Sequence, residues 1–222
     1  MSRAAVFGAC LAISASLMWG QEETPDKRLR HSADVLQEVM SAPDRGVPHD
    51  LLRRAECVIV IPGMKKGALV FGGDYGRGFA VCRTGGGWSG PAAVRIGGGS
   101  FGAQIGVDST DVVMLVMNQR GMQHLMSSKF TVGADASAAA GPVGRTATAD
   151  TDASLHAELL SYSRTRGAFA GVALDGAAIT EDHEENRKLY GHDLSNRAII
   201  RGEARPPEAG DPIVAVLDEY SR

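Results

Sequence analysis

This sequence of 222 residues lacks a large excess of charge of either sign. Lysine and arginine number 23 and aspartate and glutamate number 26, which leaves a formal charge of −3 at pH 7. A protein that holds a nucleic-acid backbone needs a broad basic field, because phosphate contacts supply much of the affinity. The composition therefore excludes a nucleic acid held by the chain as a whole, and any anion binding has to be local.

Cysteine and aromatic residues are also scarce. The chain has three cysteines and 5% aromatic residues, beside 44% hydrophobic and 22% charged residues, which is the profile of a soluble globular protein. Its length suffices to bury one core without a metal or a disulfide framework. Cys57 and Cys82 each lie in an apolar, strand-like run. They are either a disulfide or two small buried hydrophobic residues.

The first twenty residues contain an apolar run with a single charge, Arg3, and residues 21–26 are polar. This order predicts a secretory signal peptide over residues 1–20 and a short polar linker over 21–26. An uncleaved anchor and lipid attachment at Cys10 are the alternatives. We therefore expect an exported protein, periplasmic or secreted, with membrane association as a further expectation.

The period of the apolar residues changes along the chain from helical to extended. An N-terminal helix is predicted over 27–40 from four residues that share one face: Leu29, Ala33, Leu36 and Met40. A short helix over 48–56 and a helical turn over 121–127 are also predicted, and helices end the chain over 184–190, 195–201 and 212–220. Short strands are predicted between glycine-bearing turns, over 57–61, 68–71, 78–83, 92–96, 101–107, 111–118, 130–132, 143–148, 158–163, 168–173 and 177–180.

These elements predict one α+β fold. Neighbouring strands this close in sequence should pair antiparallel, because no crossover helix fits between them. So many strands should form a curled or barrel-like, mostly antiparallel sheet, and 15 of the 28 glycines fall between Gly63 and Gly106, where they supply the bends. We expect a single domain over 27–204, with the C-terminal helix and tail, 205–222, packed on it.

Two short glycine motifs overlap after a predicted strand. Gly97, Gly99 and Gly102 fit the dinucleotide-binding pattern, and Ser100 fits the nucleophile position of G-x-S-x-G. Both patterns require a helix next, whereas residues 103–107 alternate like a strand. We therefore expect no cofactor and no catalytic residue, and a serine hydrolase that uses Ser100 is the enzymatic rival.

Metal-ligand spacing is absent from the histidines. His183 and Glu184 begin a zinc-like pattern, but Arg187 occupies the place of the second histidine. The sequence therefore predicts no metal site.

Basic residues cluster in the first third of the chain that follows the predicted signal peptide. They lie in amphipathic or turn segments: Lys27, Arg28 and Arg30, then Arg53 and Arg54, then Lys65 and Lys66. Such groups either form a patch for anionic lipids or are part of an ordinary solvated surface. The pattern alone leaves both alternatives open.

Several longer motifs resemble the SYLF domain, and they occur in the order that this family has them. They are GGDYGRG (72–78), GWSGP (87–91), GSFGAQIG (99–106), an apolar strand after an aspartate (111–117), GADASAAAGPVGR (133–145), SYSRTRGAFAG (161–171) and N-x-x-x-Y-G (186–191). The resemblance covers the chain from about Lys27 to the C-terminus.

The resemblance implies a lipid-binding domain. Its eukaryotic relatives associate with phosphoinositide-bearing membranes and often carry an SH3 or FYVE module, its fungal members associate with actin, and its bacterial members carry export signals like this one. It also implies that the family's basic N-terminal helix corresponds to Lys27, Arg28 and Arg30, and that its lysine before the glycine-rich hairpin corresponds to Lys66, with Lys65 beside it. We therefore expect non-enzymatic binding of anionic lipid headgroups at a membrane surface. An envelope structural or protein-interaction module with a protein partner is the alternative.

Overall fold

Helices lie at both ends of the chain and strands lie between them. The computed structural model describes residues 23–42, 46–67, 73–98, 108–144, 156–165, 168–172 and 174–222. The helices in these ranges are α1 (Pro25–Ser41), α2 (His49–Arg54), α3 (Gln119–Leu125), α4 (His183–Tyr190), α5 (Asn196–Ile200) and α6 (Asp211–Tyr220). The strands are β1 (Cys57–Gly67), β2 (Gly73–Thr84), β3 (Gly87–Trp88), β4 (Ala92–Gly97), β5 (Asp108–Val116), β6 (Lys129–Thr131), β7 (Ala138–Ala140), β8 (Leu159–Thr165), β9 (Ala168–Gly171) and β10 (Ala178–Glu181).

The described strands form one curled sheet in the order β6-β10-β4-β2-β1-β5-β8-β7, with β3 paired to β2 and β9 to β8. All of these pairs are antiparallel except β7–β8, which is parallel. The predicted α+β fold, a curled and mostly antiparallel sheet between terminal helices, is confirmed. The β7–β8 pair makes the sheet mixed.

Both faces of the central strands are buried. Val58 and Val60 contribute to a core that α1, α2 and α6 cover, whereas Ile59 and Ile61 belong to a second core that includes side chains of α3 and α5. Since successive side chains of a strand point to opposite faces, a strand buried on both faces needs apolar residues at every position. This is why residues 57–61 form an unbroken apolar run.

Helix α1 packs the apolar stripe that its sequence predicts. Leu29, Ala33, Leu36 and Met40 are all buried in the first core, and Pro25 starts the helix at a position where its missing N–H costs no hydrogen bond. Helix α6 packs beside α1 through Ile213 and Leu217. The stripe is therefore occupied by the protein's own core.

Cys57 and Cys82 form a disulfide. They lie directly opposite each other in the antiparallel β1–β2 pair, and both are completely buried. The apolar runs around them were equally compatible with two free cysteines, because strand register cannot be deduced from either run alone. The bond links the two strands at the end of the hairpin remote from its turn.

Several predicted segments differ from the structure or lie outside the described residues. Val143 and Gly144 lie in no strand, whereas Ala138–Ala140 forms β7, an alanine segment without the β-branched residues that predict strands. Predicted strands 68–71 and 101–107, the residues 145–148 and 173, the signal peptide, and Ser100 lie outside the described residues. Among the described helices, none is long and apolar enough to cross a membrane.

Candidate functional site

Lys27 and Arg30 lie on the exposed face of α1, as the helical pattern predicts. Asp26 and Asp34 are exposed on the same helix. The exposed face near the start of α1 therefore carries charges of both signs, and its basic character is weaker than the sequence cluster alone indicates.

Arg28 lies on the opposite, buried side of α1, which corrects its assignment to an exposed basic surface. Its guanidinium forms an ion pair with the carboxylate of Glu185, and its Nη2 donates to the carbonyl oxygen of Glu23 at 2.8 Å. The side chains of Arg28 and Glu185 are only 8% and 2% exposed. Arg28 therefore holds α1 against α4 rather than facing a ligand.

Asp182 lies at the centre of a cluster of six charged residues, named here the Asp182 cluster: Arg28, Arg77, Arg95, Asp182, Glu184 and Glu185. Arg95 on β4 donates to both oxygens of Asp182 at 2.6 Å, and the Nε of Arg77 on β2 lies 3.0 Å from Oδ2. Asp182 also caps α4, since its Oδ1 accepts from the backbone N–H of Glu185 at 3.1 Å. The cluster joins α1, β2, β4 and α4.

The pKa values in the Asp182 cluster follow from burial and partners. Burial alone would raise the pKa of Asp182, but the hydrogen bonds from Arg95 and from the N–H of Glu185, with the charge of Arg77, hold it below its usual range. Burial raises the pKa of Glu185, and the charge of Arg28 only partly offsets this rise. Asp182 is therefore ionised at neutral pH, and Glu185 is the carboxyl of the cluster whose charge is disfavoured by its surroundings.

A second buried ionic group lies farther along the same face of the sheet. Asp111 on β5 accepts from Arg164 on β8 at 2.6 Å and from the backbone N–H of Gly63 at 2.8 Å. Arg164 also pairs with Glu38 of α1. The two ends of α1 are thus tied to the sheet by arginine–carboxylate pairs.

Lys65 is exposed near the end of β1. The strand register places it directly opposite Tyr75 on β2 and Ser109 on β5. Residues directly opposite each other in an antiparallel pair share a face, so Lys65 and Tyr75 lie side by side. The aromatic side chain is 49% exposed, whereas the other large hydrophobic side chains among the described residues are more covered.

Lys66 follows Lys65 on β1, and its backbone lies opposite Asp74 and Asp108. Its side chain lies outside the described part of the structure.

Of the predicted site residues with described side chains, three are exposed, namely Lys27, Arg30 and Lys65. Tyr75 was missed by the sequence argument, although its place in a glycine-rich motif, ten positions after Lys65, is a signal that could have identified it.

A cavity of about 550 Å³ lies where α1, α2 and α6 meet. Its described lining includes Met40, Val47, His49 and Tyr220, and the rings of His49 and Tyr220 meet edge to face at 5.2 Å. Lys27, Arg30 and Lys65 do not line it. No group of three or more possible metal-binding side chains occurs within the described residues.

Comparison with known proteins decides the family. The sequence profile described as "Ysc84: Las17-binding protein actin regulator" matches residues 97–220, more than half of the chain. The chain belongs to the Ysc84 family. The resemblance to the SYLF domain is thereby confirmed.

Members of the Ysc84 family from yeast and animals align with most of this chain. The LAS seventeen-binding protein 3 of Saccharomyces cerevisiae is 38% identical over 179 residues, which are 79% of this chain and 39% of the yeast protein. The SH3 domain-containing YSC84-like protein 1 of Homo sapiens is 30% identical over 197 residues, which are 88% of this chain and 57% of the human protein. The chain thus spans between about two fifths and three fifths of the length of these relatives.

The Ysc84-family motifs in this chain have structural roles where the structure describes them. Asn186 accepts from the N–H of Ala93 at 2.8 Å, and the hydroxyl of Tyr190 donates to the carbonyl of Pro91 at 3.0 Å. Gly191 ends α4 in the left-handed conformation, with φ of 76°. The N-x-x-x-Y-G motif therefore attaches α4 to the start of β4.

The glycine-rich motif of β2 is also structural. A Cβ on Gly78 would collide with the carbonyl oxygen of Val60 on the neighbouring strand, so only glycine fits there. Tyr162, from the motif SYSRTRGAFAG (161–171), is fully buried, and this burial raises its pKa. The motifs that identify the family therefore specify its fold, and the candidate binding residues lie beside them.

Proposed function

We propose that this chain is a non-enzymatic binding protein that engages anionic lipid headgroups through Lys27, Arg30 and Lys65, with Lys66 beside Lys65 in the sequence. The observation that carries the proposal is the contrast between two sets of cations. Arg28, Arg77, Arg95 and Arg164 pair with buried or half-buried carboxylates. Lys27, Arg30 and Lys65 are exposed, and no carboxylate among the described residues lies within ion-pair distance of them.

The contacts of the Asp182 cluster support a common binding surface for these cations. Arg28 of α1 contacts Glu185, and Arg77 lies within 3.8 Å of the same carboxylate. Arg77 and Tyr75 are two positions apart on β2 and therefore share a face. The start of α1, with Lys27 and Arg30, thus borders the face that carries Lys65. Each such cation contributes about 1 kcal/mol near an anionic membrane.

Vesicle flotation tests this proposal. Binding to vesicles that contain phosphatidylglycerol should weaken as salt rises, because salt screens exposed charges. The replacements Lys27→Glu, Arg30→Glu, Lys65→Glu and Lys66→Glu should each weaken binding by roughly thirtyfold at low salt, because reversal removes one attractive charge and adds one repulsive charge, about 2 kcal/mol together. The matched controls are Arg197→Glu and Arg201→Glu, which change exposed cations on α5 and directly after it.

Equal binding to neutral and anionic vesicles would contradict the proposal. So would an equal response to the four test replacements and the two controls. A melting curve for each variant separates loss of binding from loss of fold.

A protein partner is the second candidate function. The family description and the yeast relative's name both state binding to Las17, and the family description adds actin regulation. A structural or interaction module would form a stoichiometric complex with a protein from its own compartment, independently of lipid. Crosslinking and co-purification from the native host, with and without lipid extraction, would distinguish this function from headgroup binding.

We further propose that the protein is exported to the periplasm or secreted. The charge, apolar run and polar string of the first 26 residues support it. The Cys57–Cys82 disulfide supports it as well, because such bonds persist in oxidising compartments. N-terminal sequencing of protein from the native host should find a first residue between about Ser16 and Glu23. An intact Met1 in a cytoplasmic fraction would contradict export.

A further inference from the structure

The end of the sheet that carries Lys65 and Tyr75 combines a cation with an exposed aromatic ring. Their direct pairing across β1 and β2 keeps the ammonium group and the ring on one face. Tyrosine has an apolar body and a polar tip, so it is suited to the boundary between lipid headgroups and acyl chains. A half-exposed tyrosine beside an exposed lysine has the chemistry of a contact with a membrane interface.

The two described arginines nearest Tyr75 on β2 and β4 are neutralised. Arg77 is two positions along β2, and Arg95 lies directly opposite Arg77 on β4. Both arginines belong to the Asp182 cluster, where three arginines face three carboxyl groups. A headgroup with several phosphates needs several free cations that converge on it. Here it would have to compete with Asp182, Glu184 and Glu185 for Arg77 and Arg95.

We propose that Tyr75 is the membrane anchor and Lys65 its electrostatic partner, and that the lipid they engage is a bilayer of monoanionic phospholipid rather than a single polyphosphorylated headgroup. This inference rests on the proposed lipid-binding function and names its lipid class and point of contact. The charge at this end of the sheet supports a monoanionic surface, since the described residues there offer Lys65 as an exposed cation and Tyr75 as apolar area.

The experiment compares full-chain protein on three kinds of vesicle: neutral phosphatidylcholine, phosphatidylcholine with phosphatidylglycerol, and phosphatidylcholine with phosphatidylinositol bisphosphate at the same total charge. We expect equal affinity for the two anionic kinds. Tyr75→Ala should lower affinity about tenfold, because a large apolar contact is lost. Tyr75→Phe should retain most of the affinity, and Lys65→Gln should lower it about fivefold.

A fluorescence measurement reports insertion separately from affinity. The emission of Tyr75→Trp should shift to shorter wavelength on phosphatidylglycerol vesicles, beyond any shift of the parent protein, which contains Trp19 and Trp88. Arg197→Gln, which changes an exposed cation on α5, is the control and should leave affinity unchanged, because α5 packs against the opposite core.

The outcomes separate this inference from the function on which it rests. Much tighter binding to the bisphosphate vesicles, or unchanged affinity of Tyr75→Ala, would overturn the anchor and leave headgroup binding intact. No binding to any vesicle would overturn both. Since Tyr75 is half exposed, its replacement should not unfold the protein, and unchanged thermal melting would verify this.

Discussion

Arg28 and Arg30 are two positions apart on one helix and have different surroundings. Arg30 is exposed, whereas Arg28 is buried and pairs with Glu185. The difference follows from the helical period, because Arg28 is next to the stripe of Leu29, Ser32 and Leu36 that faces the core. The Arg28 side chain therefore contributes to stability, whereas the identical side chain of Arg30 is available for binding.

Replacement of Arg28 should destabilise the fold without the specific loss of vesicle binding expected for Arg30. Arg28→Ala leaves the carboxylate of Glu185 buried without its main partner, which costs roughly 3 kcal/mol in the free energy of unfolding. The penalty should shrink as the pH falls, because the pKa of Glu185 is already raised by burial and protonation removes the unpaired charge. Urea denaturation at several pH values measures both effects.

The matched control for this prediction is Arg30→Ala, which should change the free energy of unfolding by less than about 0.5 kcal/mol. The pair Arg28→Met and Glu185→Gln removes both charges and should recover part of the loss, since no buried charge then lacks its partner. Equal unfolding curves for Arg28→Ala and Arg30→Ala would show that the Arg28–Glu185 pair contributes nothing.

At the scale of elements, local sequence patterns predicted the helices and strands whose formation depends on residues close together in sequence. The apolar period predicted α1, and the short β-branched runs between glycines predicted most of the described strands and their antiparallel pairing. The strand Ala138–Ala140 was not predicted, because alanine has no strand preference and because its pairing with β8 depends on a partner some twenty positions away. The disulfide stayed undecided for a similar reason, since only the register of β1 against β2 places Cys57 opposite Cys82.

The candidate site shows the same limit. The positions of Lys27 and Arg30 on an exposed helix face could be predicted from the helical period. The ion pair of Arg28 could not be predicted in this way, because its partner Glu185 lies 157 positions away. Tyr75 is a candidate binding residue because it lies beside Lys65, and only strand pairing brings the two side chains together.

At the scale of the whole molecule, the Asp182 cluster connects helices α1 and α4 to the sheet. Arg28 comes from the first helix, Arg77 and Arg95 from two neighbouring strands, and Asp182 from the cap of α4. The cluster therefore ties α1, which carries Lys27, to β2, the strand that pairs with the Lys65-bearing strand β1. Acid should loosen this connection.

The sign of the pH effect follows from the pKa of Asp182. Its folded pKa lies below the ordinary value of 3.8, so its charge stabilises the fold above that value, and the contribution is lost as the pH falls through the folded pKa. Glu185 acts in the opposite sense, because its pKa is raised in the fold and acid relieves its buried charge. The pKa of Glu184 is lowered as well, chiefly by its hydrogen bond with Lys188, but this carboxylate is exposed and its contribution is screened by solvent. Within the cluster, the acid-sensitive part of the stability is therefore assigned to Asp182.

Asp182→Asn should lower the free energy of unfolding at pH 7 and flatten its decline below about pH 4, because an amide keeps the cap of α4 but has no charge to lose. Urea denaturation between pH 3 and pH 7 measures both changes. Glu184→Gln is the matched control, since Glu184 belongs to the same cluster but its side chain is 57% exposed, and it should leave the profile nearly unchanged. If Asp182→Asn and the parent protein lose stability in parallel on acidification, the carboxylates responsible lie elsewhere, and the Asp182 cluster does not connect the molecule in the way its geometry indicates.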